Sequence, residues 1–196
     1  MSAWIEMLSD EEADENLLSI LDSARTPHGT VDNVMRVHSL RPNTMHGHMV
    51  LYKAALHDDA NTLPAWLQET ISSYVSILND CNYSVENHWK NARYLINDEK
   101  RANEIETALR DRAPESIFTG QELALLKYAE KLTLSPSGIK RSDIDKLKFE
   151  GLDDGQILEA NQIICYFNYV NRSLNGLGVT TEGDTVGYYA GDSQPS

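Results

Sequence analysis

Residues 77–89, ILNDCNYSVENHW, contain three side chains that can take part in chemistry. Cys81, Ser84 and His88 are spaced by three and four residues, so they share one face of an α-helix. A thiol at the N-terminus of a helix is biased toward the thiolate by the exposed backbone N–H groups and the helix dipole. The pattern is typical of a thiol redox centre that lacks one sulfur.

The helical rise gives the distances along this face. At about 1.5 Å per residue, Cys81 lies about 10 Å from His88 along the axis, and Ser84 lies about 6 Å from it. His88 is therefore better placed to serve Ser84 than the thiol. Spacing alone leaves ordinary explanations open, because a cysteine at a helix start is commonly a small buried residue. A histidine on an inward face is commonly a hydrogen-bonded structural residue.

The hydrophobic pattern predicts an all-α fold, since strand-like alternation is almost absent. Ser9 followed by acidic residues predicts the first helix start, and Thr119 with Glu122 matches a capping box. Asp80 is the expected cap of the helix that carries Cys81. The predicted helices cover residues 9–24, 31–39, 42–58, 64–80, 81–96, 119–136, a short stretch from near 142, and 153–178.

Composition excludes several classes of function. The 196 residues suffice for one domain, and a formal net charge of −13 argues against binding nucleic acid or an anionic membrane surface. No apolar run approaches the roughly 20 residues that span a bilayer, and the acidic N-terminal segment lacks the pattern of a secretory signal. A cytoplasmic location is expected, in which a structural disulfide between the two cysteines is a poor default.

A longer stretch carries a family resemblance. Residues 67–92, LQETISSYVSILNDCNYSVENHWKNA, resemble the alkylhydroperoxidase D (AhpD)-like, carboxymuconolactone decarboxylase superfamily. That family's motif is a glutamate, eleven intervening residues and C-x-x-C-x-x-x-H, which here falls on Glu69, Cys81, Ser84 and His88. Flanking segments 33–57 and 164–179 resemble its peroxidase-related enzyme subgroup, so the similarity runs from about Asn33 to Val179.

The resemblance implies an all-α, AhpD-like helical bundle with the motif at the start of a central helix. It implies one domain over residues 1–180, with residues 181–196 expected as a loosely ordered tail. Glu69 and His88 would withdraw a proton from a thiol, and the second cysteine of the motif would attack peroxide. Ser84 occupies that position and cannot form a sulfenic acid or a disulfide, so the two-thiol cycle cannot run here. The resemblance also implies a homo-oligomer.

Three functions remain open. The preferred one is a one-thiol redox enzyme, in which Cys81 attacks a peroxide or the disulfide of a thiol partner and an external thiol completes the cycle. The second is an acid–base enzyme of the carboxymuconolactone decarboxylase kind that uses Glu69 and His88. The third is an oligomeric scaffold whose site has decayed.

Other polar residues are given structural roles. Cys165 lies among apolar residues and is expected in the core, with a distant resolving thiol as the alternative. Glu69 shares a helix face with small serines, which either admits a neighbouring helix or forms a solvated face. His46 and His48 point apart on a helix, and no metal or phosphate motif is present, so neither a metal nor an organic cofactor is predicted. Three polar residues on the predicted final helix either cap neighbouring helices or line the cleft: Asn168, Asn171 and Arg172.

Overall fold

The computed structural model describes residues 2–26 and 28–189, and these contain nine α-helices and no strand. The prediction of an all-α fold is confirmed. In chain order the helices are α1 Glu15–Ser23, α2 Asn33–Arg36, α3 Pro42–Leu56, α4 Ala65–Leu78, α5 Asn82–Ile96, α6 Glu99–Arg110, α7 Gly120–Leu134, α8 Arg141–Phe149 and α9 Asp154–Leu177, with short 3₁₀ helices at Pro114–Ser116 and Pro136–Gly138.

Helix α4 is the centre of the bundle. It packs against α5, α7 and α9, and eleven of its fourteen residues are buried. Its serine hydroxyls donate to the carbonyl oxygens one turn earlier, for example Ser73 to Glu69 at 2.8 Å, so they need no water. The face that carries Glu69 and the serines is buried, and the solvated alternative is wrong. Small side chains let neighbouring helices approach closely enough to enclose a carboxylate.

A tight turn places Cys81 at the start of α5. The backbone N–H of Cys81 donates to the carbonyl of Ser76, and Asp80 adopts a left-handed conformation with φ 51°. Cys81 is itself the N-cap residue, so the expected cap at Asp80 is wrong. The inward face that the sequence predicts is confirmed, because Cys81, Ser84 and Val85 are buried.

Several helix boundaries differ from the predicted ones. Helix α1 begins at Glu15, six residues after the expected Ser9, because Asp14 caps it by accepting from the backbone N–H of Leu17. Thr119 makes no side-chain cap bond, whereas Asp153 and Gln156 form a capping box at the start of α9. Helix α6 was not predicted, and its buried residues have helical spacing: Ala102, Ile105, Ala108 and Leu109.

Residues 181–189 lie along the outer side of α5. Lys90 donates to the carbonyl of Val186, and Glu86 accepts from the hydroxyl of Thr181, so these two charged residues bind the C-terminal segment rather than each other. The expectation of a loosely ordered tail therefore does not describe residues 181–189; the rest of that tail, residues 190–196, lies outside the described residues. No described helix has both the length and the apolar character needed to cross a bilayer.

Candidate active site

A buried carboxylate and an imidazole form the centre of the site. Oε2 of Glu69 is 2.7 Å from Nδ1 of His88, and the Glu69 residue is 3% exposed. The i to i+19 spacing brings them together because α4 and α5 are antiparallel neighbours joined by the turn at Cys81. Of the motif residues that the sequence identifies, Glu69 and His88 are in direct contact.

Asn91 completes the environment of the carboxylate. Its Nδ2 donates to Oε1 of Glu69 at 3.1 Å, and its Oδ1 accepts from the backbone N–H of Tyr188 at 2.8 Å. Both carboxylate oxygens thus accept a hydrogen bond. A carboxylate only accepts, so Nδ1 of His88 carries a proton and Nε2 is the nitrogen left for other partners.

His88 faces a cavity of about 400 Å³ that is lined by parts of α3, α5 and α9 and of residues 23–26, 28–35 and 185–188. The ring edge of His88 also packs against Phe167, with ring centroids 4.6 Å apart. This volume is typical of sites for small organic molecules. Aromatic and apolar side chains supply much of the wall: Val34, Met35, Met49, Tyr52, Tyr83, Tyr166, Val170 and Tyr188.

The thiol of Cys81 lies near this cavity but does not line it. Cys81 is 1% exposed, and its Sγ lies 3.6 Å from Oγ of Ser84, close enough for a weak S–H to oxygen hydrogen bond. Ser84 lines the cavity together with His88, whereas Cys81 is not among the lining residues. The structure thus brings all four predicted residues into one region and places the hydroxyl, not the sulfur, at the cavity wall.

Solved structures resemble this chain over nearly its whole length. A peroxidase-related protein from Ralstonia eutropha, described as an alkylhydroperoxidase AhpD core, matches with 19% identity, 94% of each chain and a TM-score of 0.77. A peroxidase-related protein from Silicibacter matches with 17% identity, 93% of each chain and a TM-score of 0.78. This chain has the AhpD-like fold.

A third structure with this fold is a variant of the debrominase Bmp8 in complex with 2,3,4-tribromopyrrole. It shares 18% identity with a TM-score of 0.68, over 93% of this chain and 94% of the debrominase. No protein-family profile and no curated protein sequence matches the chain.

The second cysteine lies elsewhere on the AhpD-like fold. Cys165 is exposed, and its Sγ lies 3.7 Å from Oδ1 of Asn161 one turn earlier on α9. The expectation of a core cysteine is wrong because position 165 faces away from the bundle, while Ile163, Ile164 and Phe167 face inward. Runs of apolar residues on both sides of a position do not fix which side of a helix it occupies.

The polar residues of the final helix stabilise the end of α4. The side-chain amide of Asn79 donates to Oδ1 of Asn168 and of Asn171, and Arg172 donates to the side chain and carbonyl of Asn168. These contacts fit helix capping, which the sequence favoured over cleft lining.

Sequence reasoning missed an acidic pair near the cavity. Asp184 accepts from the hydroxyl of Tyr83 at 2.6 Å and from the backbone N–H of Asn33 at 3.0 Å. Asp32 lines the cavity, and its buried Oδ1 has no hydrogen-bond partner. Burial, together with the charge of Asp184, raises the pKa of Asp32 to about 7. No local motif marks this pair, since 152 positions separate the two residues in the chain.

Two tyrosine–histidine contacts were also missed. The Tyr52 hydroxyl lies 2.8 Å from Nε2 of His57, whose ring stacks on Tyr188 at 4.8 Å. The Tyr166 hydroxyl lies 2.8 Å from Nε2 of His48, which is buried. Burial raises the pKa of Tyr52 and of Tyr166 well above the usual value, so both phenols stay protonated at neutral pH.

Proposed function

We propose that this chain is an enzyme that removes a proton from a small, mainly apolar organic molecule held in the cavity. His88 is the base, and Glu69 is the positioning residue that holds its ring. The observation that carries the proposal is the 2.7 Å contact between the Glu69 carboxylate and Nδ1 of His88, beside a cavity that His88 lines. This function is the acid–base alternative that the sequence left open.

The hydrogen bonds give each group a task. The proton on Nδ1 is engaged by Glu69, so Nε2 of His88 has a lone pair available for a substrate proton. When that proton arrives, the ring becomes an imidazolium, and the buried carboxylate stabilises its charge. Asn91 keeps the carboxylate in place by donating to its other oxygen.

Ser84 provides a polar contact on the same wall. Its oxygen accepts from the thiol of Cys81, so the hydroxyl proton is not used in that contact, and Ser84 lines the cavity. A donor beside a base can stabilise negative charge on a substrate oxygen after proton removal. The debrominase Bmp8, which has the same fold, is solved with 2,3,4-tribromopyrrole, and a small aromatic ring of that class also suits this cavity.

The test uses 5-nitrobenzisoxazole, a small aromatic compound whose ring opens to a coloured phenolate when a base removes its one acidic ring proton. We expect the wild-type protein to accelerate this opening and His88→Gln to lower the rate by about 10² to 10⁴. Cys81→Ser should keep the rate within about twofold, because the sulfur does not line the cavity. His46→Gln, an exposed histidine on α3, is the matched control.

Loss of the reaction in Cys81→Ser, with full activity in His88→Gln, would refute the acid–base proposal. Failure of the wild-type protein to accelerate the reaction would also count against it. If Cys81 in that case also resists peroxide, the decayed scaffold becomes the better explanation.

One-thiol reduction by Cys81 is the second candidate. The observation in its favour is the position of Sγ, 3.6 Å from the Ser84 hydroxyl at the N-terminus of α5, so that one side chain separates it from the cavity. In this reaction the thiolate attacks one peroxide oxygen, the O–O bond breaks, and a sulfenic acid and an alcohol or water form. An external thiol then restores the cysteine.

Mass spectrometry after stoichiometric peroxide tests this second candidate. The exposed Cys165 is replaced by serine, so that any oxidation reports on Cys81. A sulfenic acid at Cys81, or a mixed disulfide when a small thiol is added, would support one-thiol reduction. An unmodified Cys81 in a folded protein would exclude it.

A further inference from the structure

A row of hydrogen bonds leads from the cavity wall to the protein surface. The Tyr166 hydroxyl is 2.8 Å from Nε2 of His48, and Nδ1 of His48 is 3.1 Å from Nε2 of His38. Nδ1 of His38 is 2.9 Å from Oγ1 of Thr44, which is exposed. Tyr166 lines the cavity, so these side chains connect the cavity to solvent.

The proton positions follow from the surface end. The Thr44 hydroxyl donates to the carbonyl of Arg41 at 2.8 Å, so its oxygen accepts from Nδ1–H of His38. A neutral His38 then accepts at Nε2 from Nδ1–H of His48, and Nε2 of His48 accepts from the Tyr166 hydroxyl. Every proton in the row points away from the cavity, which leaves the Tyr166 oxygen as an acceptor at the cavity wall.

The two histidines are neutral at physiological pH. Burial, with a smaller effect from His38, lowers the pKa of His48 to about 4, and burial also lowers the pKa of His38. The groups that face His48 are His38, Tyr166 and the ring edge of Tyr169, none of them a carboxylate. A neutral imidazole holds a proton on one nitrogen and accepts on the other, which is what passing a proton requires.

We propose that Tyr166, His48 and His38 conduct protons between the cavity and solvent, and that Tyr166 is a second proton-transfer group of the site. This inference rests on the proposed acid–base function and adds to it a group on a different helix from His88. Neither the spacing of the motif nor the contacts of His88 imply it.

Proton transfer from the cavity to solvent begins at Tyr166. A molecule in the cavity gives a proton to the Tyr166 oxygen and keeps the electron pair of the broken bond. The original Tyr166 proton passes to Nε2 of His48, and the Nδ1 proton of His48 passes to Nε2 of His38. His38 becomes an imidazolium and, because its pKa is lowered, gives up its Nδ1 proton at the exposed Thr44 end of the row, where water takes it up.

After this transfer, the donors and acceptors in the row of hydrogen bonds are reversed. His38 donates through Nε2, His48 donates to the Tyr166 oxygen, and the Tyr166 hydroxyl points into the cavity. In this state Tyr166 can give a proton back to a reaction intermediate while His38 takes one from water. One proton out followed by one proton in is what a base step and an acid step need in sequence.

The test measures exchange of the Tyr166 hydroxyl proton with water by NMR saturation transfer, with no substrate present. Its resonance is assigned by its loss in Tyr166→Phe. We expect His38→Gln and His48→Gln to slow the exchange by at least about tenfold, because glutamine keeps hydrogen bonds but cannot relay a proton. His46→Gln, at an exposed position on the same helix as His48, should leave the rate unchanged.

Exchange that stays at the wild-type rate in both variants would overturn the proposal, because the proton would then leave through the cavity. Circular dichroism and thermal unfolding confirm that each variant is folded. Since no substrate is used, the result does not depend on whether His88 opens 5-nitrobenzisoxazole. The two proposals can therefore fail separately.

Discussion

Replacement of Glu69 by glutamine tests the centre of the site with little change of shape. The carboxylate accepts two hydrogen bonds, one from Nδ1–H of His88 at 2.7 Å and one from Nδ2 of Asn91 at 3.1 Å. A glutamine amide offers one accepting oxygen and one donating NH₂ group. It cannot accept from both neighbours, so one of them must change.

His88 is the neighbour that can adapt. Asn91 is fixed on its other side by the backbone of Tyr188, whereas an imidazole can move its proton from Nδ1 to Nε2. In Glu69→Gln we therefore expect the amide NH₂ to donate to Nδ1 of His88. The proton then lies on Nε2, so the nitrogen available to the cavity becomes a donor and the base is lost.

The energetic cost follows from the charge and the burial. Hydrogen bonds to a charged group contribute about 1.5 to 3 kcal/mol, and Glu69 is too buried for water to replace them. The retained neutral hydrogen bonds offset part of this loss. We expect Glu69→Gln to lower the free energy of unfolding by about 1 to 2 kcal/mol, within the range of a charged bond exchanged for a neutral one.

The assay is ¹⁵N NMR of ring-labelled histidine, which distinguishes the two neutral tautomers, combined with denaturant unfolding. Wild-type His88 should carry its proton on Nδ1, and Glu69→Gln should shift it to Nε2. Glu104→Gln, at an exposed position on α6, removes the same charge and should change neither quantity. A proton that remains on Nδ1 in Glu69→Gln would show that the carboxylate does not set the tautomer.

Three further predictions follow from buried or neighbouring groups. The pKa of His48 is lowered to about 4, so the unfolded chain binds more protons than the folded chain between pH 6.5 and 4. The free energy of unfolding should therefore fall by about 3 kcal/mol as pH drops through this window. Denaturant titrations of His48→Gln should lack this fall. The raised pKa of Asp32, about 7, has the opposite sign, because the folded chain binds more protons between pH 3.8 and 7. The free energy of unfolding should therefore fall as pH rises through this window. Above neutral pH, Asp32→Asn should raise the free energy of unfolding by roughly 1 to 3 kcal/mol, a range that allows for the partial exposure of Asp32. Asp59→Asn, at an exposed position, should not change it. Ser84→Cys should form a disulfide with Cys81 under mild peroxide, because Sγ of Cys81 already lies 3.6 Å from Oγ of Ser84. Mass spectrometry should show the disulfide as a loss of two hydrogens.

The amphipathic pattern was enough to predict most helices and their order. Helix α4 was expected to have one apolar stripe, yet it is buried on all sides, because its serines satisfy their own hydroxyls within the helix. Helix α6 was missed although its apolar spacing is regular. The start of α5 depends on the left-handed Asp80, a conformation that is uncommon outside glycine, although aspartate adopts it more readily than most residues, and no simple cap pattern predicts it.

The candidate site was predicted only in part. Glu69 and His88 were identified through the family motif, whereas spacing within α5 alone gives no reason to look nineteen residues upstream. The cavity depends on Tyr52, Tyr166 and Tyr188, which come from distant parts of the chain and meet only after the helices pack. Local sequence patterns do not predict contacts between residues that are so far apart in the chain.

The position of a single oxygen separates the two candidate functions. A sulfur at the place of the Ser84 hydroxyl would line the cavity beside His88 and be backed by the thiol of Cys81, which is the arrangement a two-thiol cycle needs. With oxygen there, the lining residue is one that can bind or polarise a substrate, while Cys81 is buried and does not line the cavity. His88 lines the cavity as the structure stands, so proton transfer by its ring does not involve the sulfur. The Glu69–His88 contact does not depend on the sulfur in either case, and for this reason we propose acid–base chemistry on a fold whose motif resembles that of redox proteins.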